Sequence, residues 1–334
     1  MITVYSPLRI SFAGGGTDIS PFLENYGGAV LNTTIDRGIM IRYIDDGGSL
    51  EVSSRDFLRS ALISSINNTS MENKIINMFM ENGIDTGRII MNNDVPPGSG
   101  LGSSSALING IIKAIYAIKR KDIDPYDLAK ESYLSEKNKF NIILGKQDPY
   151  AISVGGLKYM EFRRSGEVTQ KFALSDPFVT NLEKSMILVY TGNTRESSRS
   201  LQDQVAKSEN GDEKTMESLN KLKDLALNLS KAIKSHNRDE VYSIVNEGWS
   251  IKKSLGTSVT NKRIDTIIDY ALDNGAKSAK LLGGGAEGFI LLIGERENID
   301  SLQHKMMSQS DFVIRIRFDG EGTRVIRNFI EPHE

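Results

Sequence analysis

Hydrophobic and polar residues alternate along residues 2–13, which predicts a β-strand because successive side chains of a strand point to opposite faces. Other segments of the first half show similar alternation or β-branched runs. These predicted strands are residues 28–35, 38–45, 49–53, 88–92 and 155–162. Apolar residues spaced three and four apart predict helices in the same half. These helices are residues 70–82, 104–120 and 124–139.

The second half mixes strand and helix patterns in the same way. Its predicted strands are residues 168–173, 186–190, 289–293 and 311–318. Its predicted helices are residues 215–235, 238–255, 262–273 and 297–308. Strands and helices alternate in small groups, and the sequence shows no obvious internal repeat. This pattern indicates an α+β fold with two layers in each half. Because the composition changes near residues 163–166, we expect one domain over 1–165 and a second over 166–334.

Composition limits the class of protein. The 334 residues are 39% hydrophobic and 25% charged, with a net charge of −2, which is typical of a soluble globular protein. This charge gives no reason to expect a nucleic-acid or membrane partner. Cysteine is absent, so disulfides and thiol catalysis are excluded. The N-terminal residues do not resemble a signal peptide, and no stretch reaches the ~18 apolar residues of a membrane span. We therefore expect a cytoplasmic protein with a small-molecule substrate, and the sequence leaves a homodimer open.

A glycine- and serine-rich segment, residues 94–106, stands between a predicted strand and a predicted helix. Gly98, Gly100 and Gly102 alternate in it, and three serines precede the apolar run of the helix. Glycine lets a ligand approach the backbone closely, and the free N–H groups of a helix N-terminus attract anions. The segment fits a phosphate-binding loop, but a flexible surface loop leading into a helix fits its composition equally well.

Spacing excludes three common types of loop. A Walker A loop requires lysine where Ser103 stands, and a dinucleotide fingerprint requires glycine at the same position. A nucleophile elbow requires Gly-x-Ser-x-Gly, which residues 98–102 do not provide.

Three glycine-rich segments, residues 7–18, 96–106 and 280–288, follow one another in an order and spacing that resemble the three motifs of the GHMP kinases. The resemblance covers nearly the whole chain. It implies that family's two-domain fold, in which the N-terminal domain is like domain 2 of ribosomal protein S5 and the C-terminal domain is ferredoxin-like. Three segments also resemble the D-glycero-D-manno-heptose 7-phosphate kinase branch of the family. They are residues 6–18, 145–151 and 191–197.

The same resemblance implies that the second glycine-rich segment binds the phosphates of ATP. The residues concerned are Pro97, Gly98, Ser99, Gly100, Leu101, Gly102, Ser103 and Ser104. It also implies that Mg²⁺ is bound by Ser104 and by a helix glutamate, for which we choose Glu136, with Ser103 as the neighbouring candidate for the serine. The alternative interpretation of Glu136 is a solvated helix carboxylate.

For the catalytic base, the resemblance indicates Asp148. Taken alone, Asp148 followed by Pro149 is more typical of a turn. Arg9 on the first strand is expected to stabilise phosphoryl charge. Lys146 is expected to contact the base or a transferring oxygen, with a surface lysine as the alternative.

The phosphate acceptor is expected to lie against the first and third glycine-rich segments. The implied residues are Gly16, Thr17, Asp18, Arg195, Gly284 and Gly285. Asp18 could accept hydrogen bonds from substrate hydroxyls, and Arg195 suits a second anionic group unless it is a surface arginine. The third segment is expected to pack against the nucleotide loop, with a purely structural hairpin as the alternative.

These expectations describe an Mg²⁺- and ATP-dependent kinase that phosphorylates an alcohol of a small, already phosphorylated metabolite. A heptose 7-phosphate is the leading acceptor. Mevalonate or a mevalonate phosphate, as in a mevalonate 3-phosphate 5-kinase, is an alternative. A non-catalytic ligand sensor is a further alternative, which the joint presence of Asp148, Ser104 and Glu136 disfavours.

Overall fold

The computed structural model describes residues 1–54, 71–96, 98–192, 198–256, 258–285 and 287–326. Strands in these ranges are β1 (Ile2–Ala13), β2 (Gly28–Ser49), β3 (Glu51–Ser54), β4 (Thr86–Asn93), β5 (Lys158–Arg163), β6 (Gly166–Lys171), β7 (Met186–Tyr190), β8 (Ala276–Leu281), β9 (Phe289–Gly294), β10 (Val313–Arg315), β11 (Phe318–Asp319) and β12 (Arg324–Val325). Helices are α1 (Phe22–Tyr26), α2 (Met71–Met80), α3 (Ser103–Ile118), α4 (Pro125–Asn138), α5 (Gln147–Val154), α6 (Pro177–Lys184), α7 (Ser198–Glu209), α8 (Glu213–Lys234), α9 (Arg238–Ser254), α10 (Lys262–Asp273) and α11 (Ile299–Met306).

The larger of two sheets has the strand order β12-β1-β2-β4-β3, and its strand β2 also pairs with β5 and β11. The smaller sheet has the order β10-β7-β9-β8. Helix α3 packs on β1 and β2, as does α8 from the second half of the chain, and α9 packs on β1. Helices α9, α10 and α11 pack on the smaller sheet. This mixture of sheets and helices confirms the α+β prediction.

The long strand β2 replaces two shorter strands predicted from the sequence. It runs antiparallel to β1, with Tyr43 opposite Ile2 and Leu31 opposite Ala13. The register shifts opposite Pro7 and Leu8. Such a shift is a β-bulge, which inserts extra residues without ending the strand. The segment read as a junction between two strands is therefore a bulge within one strand.

Strands β11 and β12 return to the larger sheet after the smaller sheet is complete. Strand β12 pairs with β1, and the hydroxyls of Ser6 and Thr323 lie 2.9 Å apart. Close by, the backbones of Gly155 and Gly322 touch, since a Cβ on Gly155 would lie 2.2 Å from the nitrogen of Gly322. The β5–β6 hairpin spans the expected boundary at residues 165 and 166 and pairs with the larger sheet. The domain boundary itself stays a prediction.

Four helices were not predicted from the sequence: the short α1, and α5, α6 and α7. Nearly all of α5 is buried, so it lacks the polar face that gives a helix its periodicity. Its Asp148-Pro149 pair suggested a turn, although proline is well tolerated in the first turn of a helix. Helix α7 is mostly polar, with too few apolar residues to show the helical spacing.

None of the helices in the described part of the chain combines the length and the apolar character that crossing a lipid bilayer requires.

The contact between the backbones of Gly155 and Gly322 predicts that Gly155→Ala destabilises the protein more than Gly211→Ala. The two glycines have similar left-handed φ values, +69° and +66°, so both substitutions carry about 1–2 kcal/mol of backbone strain. At Gly211 a Cβ would meet nothing within 4 Å. Urea unfolding is expected to show a loss of about 3 kcal/mol or more for Gly155→Ala and only the strain for Gly211→Ala. Equal losses would contradict the close contact.

Candidate active site

A cavity of about 330 Å³ lies where the three glycine-rich segments meet. Strand β1 forms its floor, and the loop before α3 and the start of α5 form one side. Helices α7 and α9 and the loop after β8 close the other side. Each half of the chain therefore supplies part of the wall.

An ion pair between Arg9 and Asp148 lies in this cavity. Nε of Arg9 donates to Oδ1 of Asp148 at 2.7 Å, and Nη2 donates to Oδ2 at 2.6 Å. Nη1 donates to the carbonyl oxygen of Gly100 at 2.6 Å. The arginine side chain is 6% exposed, whereas that of Asp148 is 28% exposed. The guanidinium thus fixes the carboxylate through both oxygens and leaves it open to the cavity, with further lone pairs free to accept.

The glycine loop ends at the N-terminus of α3. Gly102 has φ +78° as the residue before the helix, and its carbonyl accepts from the N–H of Ala106. The first helical residues, Ser103, Ser104 and Ser105, line the cavity. The N–H groups of a first helical turn have no partner within the helix, and the helix dipole makes this end positive. This wall of the cavity is therefore suited to bind an anion.

Backbone contacts hold the loop against the third glycine-rich segment. The N–H of Phe289 donates to the carbonyl of Ser99 at 3.0 Å. A Cβ on Gly100 would lie 2.5 Å from the carbonyl oxygen of Leu282, and one on Gly283 would lie 2.6 Å from the Cα of Gly100. Glycine is required at both positions because no side chain fits between the segments.

Glu136 of α4 reaches the start of α3 from behind. The hydroxyl of Ser104 donates to its Oε2 at 3.0 Å, while Oε1 has no hydrogen-bond partner in the described part of the chain. Burial raises the pKa of Glu136 to about 8, and the negative charge of Asp148 raises it further. Hydrogen bonds from the hydroxyls of Ser105 and Ser104 act in the opposite direction and lower the pKa. A buried carboxylate with an unused oxygen is poorly stabilised as an anion unless a cation lies beside it. Without a cation, the group instead takes up a proton and becomes neutral.

These two side chains fit a magnesium site. Mg²⁺ is usually bound by one or two protein oxygens, with phosphates and water completing its coordination. Ser104 and Glu136 would supply those oxygens beside the anion-binding end of α3. Clusters of three or more acidic, histidine or cysteine side chains, which would hold a metal without a phosphate, do not occur in the described ranges.

Asp18 connects the first glycine-rich segment to the helix that carries Asp148. Its Oδ2 accepts from the N–H of Gln147 at 2.8 Å, and its Oδ1 accepts from the N–H of Gly16 at 3.1 Å. Burial raises the pKa of Asp18, and the negative charge of Asp148 raises it further, while the two backbone N–H groups lower it. Asp18 lines the cavity and also fixes the start of α5.

Two lysines in the cavity wall were not predicted from the sequence. Nζ of Lys252 on α9 donates to the carbonyl of Gly283, and Nζ of Lys280 on β8 donates to the carbonyl of Phe12 at 2.8 Å. Burial, together with the charge of Arg9, lowers the pKa of Lys252 to about 8. Burial likewise lowers the pKa of Lys280, reinforced by Lys252 and Arg9. The signal available in the sequence was a lysine at position 280 within an apolar strand that leads into glycines.

Of the remaining predicted residues, Gly98, Gly100, Gly102, Gly16 and Gly284 line the cavity. The structure does not bring Lys146 into it. Nζ of Lys146 pairs with Glu167 at 2.6 Å and lies 5.9 Å from the centre of the Tyr150 ring. Because residues two apart on a helix do not share a face, Lys146 and Asp148 point in different directions.

Four further predicted residues have structural roles instead of lining the cavity. The hydroxyl of Thr17 donates to the carbonyls of Gly14 and Ala29. Side chains of Ser99 and Leu101 are buried behind the loop. Gly285 lies against Val259, whose Cα would be 2.9 Å from a Cβ at that position. Pro97 and Arg195 lie outside the described residues.

Two family models match the sequence. Residues 70–156 match the one described as "GHMP kinases N terminal domain", and residues 229–310 match "GHMP kinases C terminal". A D-glycero-alpha-D-manno-heptose 7-phosphate kinase of Campylobacter jejuni is 30% identical over 336 residues, which cover 97% of this chain and 98% of the relative.

The other comparisons agree with these matches. The crystal structure of a D-glycero-D-manno-heptose 1-phosphate kinase from Bacteroides thetaiotaomicron superposes with a TM-score of 0.78 at 25% identity, covering 98% of this chain and all of that one. A mevalonate kinase of Saccharolobus solfataricus is 28% identical, but over only 62% of each chain.

The burial of Glu136 predicts that its replacement by glutamine changes how stability depends on pH. Since the pKa is higher in the folded than in the unfolded chain, the stability from this group is present below about pH 4.5 and is lost as the pH rises to about 8. Without divalent cations, the stability of wild type relative to Glu136→Gln is expected to fall over this window by about 3–5 kcal/mol. Urea unfolding at several pH values measures it, and parallel pH profiles would contradict the burial.

Proposed function

Because the chain belongs to the GHMP kinase family, we propose that it transfers the γ-phosphate of ATP to an alcohol of a heptose 7-phosphate or a closely similar sugar phosphate. Membership confirms the two-domain fold and the phosphotransferase activity expected from the motifs. The acceptor class is supported by the relative from Campylobacter jejuni, which matches over almost its full length. The structure of the heptose 1-phosphate kinase supports the same class.

The observation that carries the proposal is the Arg9–Asp148 pair beside the N-terminus of α3. A carboxylate held through both oxygens and an anion-binding helix end lie next to each other in the cavity wall. Phosphoryl transfer depends mainly on holding the phosphate and the acceptor oxygen in line and on neutralising charge. The cavity provides fixed groups for both tasks.

In this proposal, the glycine loop and the first turn of α3 bind the nucleotide phosphates through backbone N–H groups. Ser104 and Glu136 would hold Mg²⁺ beside them. The ion, when bound, neutralises charge on the phosphate oxygens. A bound Mg²⁺ would also supply the positive charge that the buried Glu136 carboxylate lacks. The close contact between Gly100 and Gly283 holds the loop against the third glycine-rich segment.

Asp148 accepts the proton of the acceptor hydroxyl in this scheme. Its fixed position matters more than its basicity, because a general base must lie within hydrogen-bond reach of the proton it removes. Arg9 supplies that position and adds positive charge where the phosphoryl group transfers. Asp18 and the neighbouring Gly16 would contact hydroxyls of the sugar.

A panel of acceptors tests the function and its alternatives. With Mg²⁺·ATP, we expect ADP release with heptose 7-phosphate at a kcat/KM well above that with mevalonate or its phosphates. Preference for a mevalonate compound would replace the sugar phosphate as the acceptor. Binding of nucleotide and sugar phosphate without ADP release from any acceptor would indicate the sensor.

Asp148→Asn is expected to lower kcat by about 10²- to 10⁴-fold, because the amide keeps the shape of the side chain but cannot take up the proton. The KM for ATP should change little, since the nucleotide phosphates are proposed to bind backbone N–H groups of the loop and not the Asp148 side chain. Asp127→Asn removes the same charge from the exposed first turn of α4 and should leave kcat unchanged. Steady-state kinetics of both variants decide the matter, and a kcat near wild type for Asp148→Asn would remove Asp148 from the mechanism.

A further inference from the structure

Lys252 and Lys280 are two desolvated cations that the scheme above does not use. Both line the cavity, and both belong to the second half of the chain. Each ammonium donates to a backbone carbonyl, and among the described residues neither forms an ion pair with a carboxylate. Taking an ammonium out of water is costly unless an opposite charge accompanies it.

The nearby carboxylates Asp18 and Asp148 compensate the charge of Lys252 only in part. Asp148 already shares both oxygens with Arg9, and Asp18 accepts two backbone N–H groups. Arg9 and the lysines also repel one another, which contributes to the lowered pKa values of Lys252 and Lys280. The protein alone therefore leaves an excess of positive charge in this part of the wall.

Lys280 and Lys252 continue the positively charged wall of the cavity beyond Arg9. Lys280 contacts the carbonyl of Phe12, three residues along β1 from Arg9. Three residues of extended strand span about 10 Å of backbone. These two backbone positions are therefore far enough apart for a sugar ring with its exocyclic carbons to lie between them. Lys252 lies nearer the transfer centre, because it donates to Gly283, whose backbone touches Gly100.

We propose that Lys252 and Lys280 bind the phosphate that the acceptor already carries and so select a phosphorylated sugar over the free sugar. This inference rests on the proposed function. A dianionic phosphate accepts from several ammonium donors at once and supplies the missing negative charge. Bound there, it directs the opposite end of the sugar toward Asp148.

The test compares two acceptors, heptose 7-phosphate and the same heptose without phosphate, in wild type and in Lys252→Met. The KM for the phosphorylated acceptor is expected to rise roughly 10- to 100-fold, which is the loss of one charged hydrogen bond. The KM for the free sugar, the KM for ATP and kcat should stay close to wild type. Lys252→Arg should restore part of the affinity, and Lys280→Met should act in the same direction.

Exposed neighbours of the two lysines provide matched controls. Lys253→Met removes a charge next to Lys252 on α9, and Lys277→Met does so on the same strand as Lys280. Neither should change the KM for either acceptor. Urea unfolding of every variant identifies any loss that comes from misfolding. Lys252→Met is the main variant because the Lys252 residue as a whole is less buried than Lys280.

Failure of this inference can be told apart from failure of the proposed function. A wild type that releases no ADP with heptose 7-phosphate overturns the function, whatever the variants do. A wild type that is active while Lys252→Met raises KM equally for both acceptors overturns the phosphate site alone. A loss of kcat with both acceptors and unchanged KM also overturns it, because the lysine would then act on the transferring phosphoryl group.

Discussion

The site depends on one steric constraint, the direct contact between the backbones of Gly100 and Gly283. No side chain fits between them, so the loop before α3 is held at a fixed distance from the loop after β8. The first loop presents the N-terminus of α3, and the second receives the Lys252 hydrogen bond at Gly283. Through this contact, the groups proposed to bind the nucleotide lie directly beside those that the second half of the chain supplies.

Each buried charged group in the cavity is compensated by a residue distant in the sequence or would be compensated by a bound ligand. Arg9 and Asp148 compensate each other directly. Glu136 has an unused oxygen where a cation would fit, and Lys252 and Lys280 have unused charge where an anion would fit. The unoccupied protein is therefore stabilised less than the same protein with both substrates, because charges left without a partner in a protein interior are unfavourable.

The sequence allowed the main elements and the glycine-rich segments to be predicted, because their periodicity and spacing are local. It did not reveal that Arg9 and Asp148 pair, since they lie 139 residues apart and only the folded chain brings them together. Burial of α5 hid its helical pattern, and without that helix the opposite directions of Lys146 and Asp148 could not be foreseen. Lys252 resembled an ordinary surface lysine, because desolvation is a property of the fold and not of the residue, whereas the apolar neighbours of Lys280 were a signal of its burial.

The return of β11 and β12 to the larger sheet affects how the chain can be synthesised and folded. Strand β1 gains its partner β12, and Ser6 its contact with Thr323, only after the whole smaller sheet has been translated. A nascent chain that stops short of residue 318 therefore exposes an unpaired edge of β1, although all residues that form the anion-binding loop are present. Edges of this kind attract other strands. Pairing of β12 with Val4 and Tyr5 thus covers part of an edge that another strand could otherwise join.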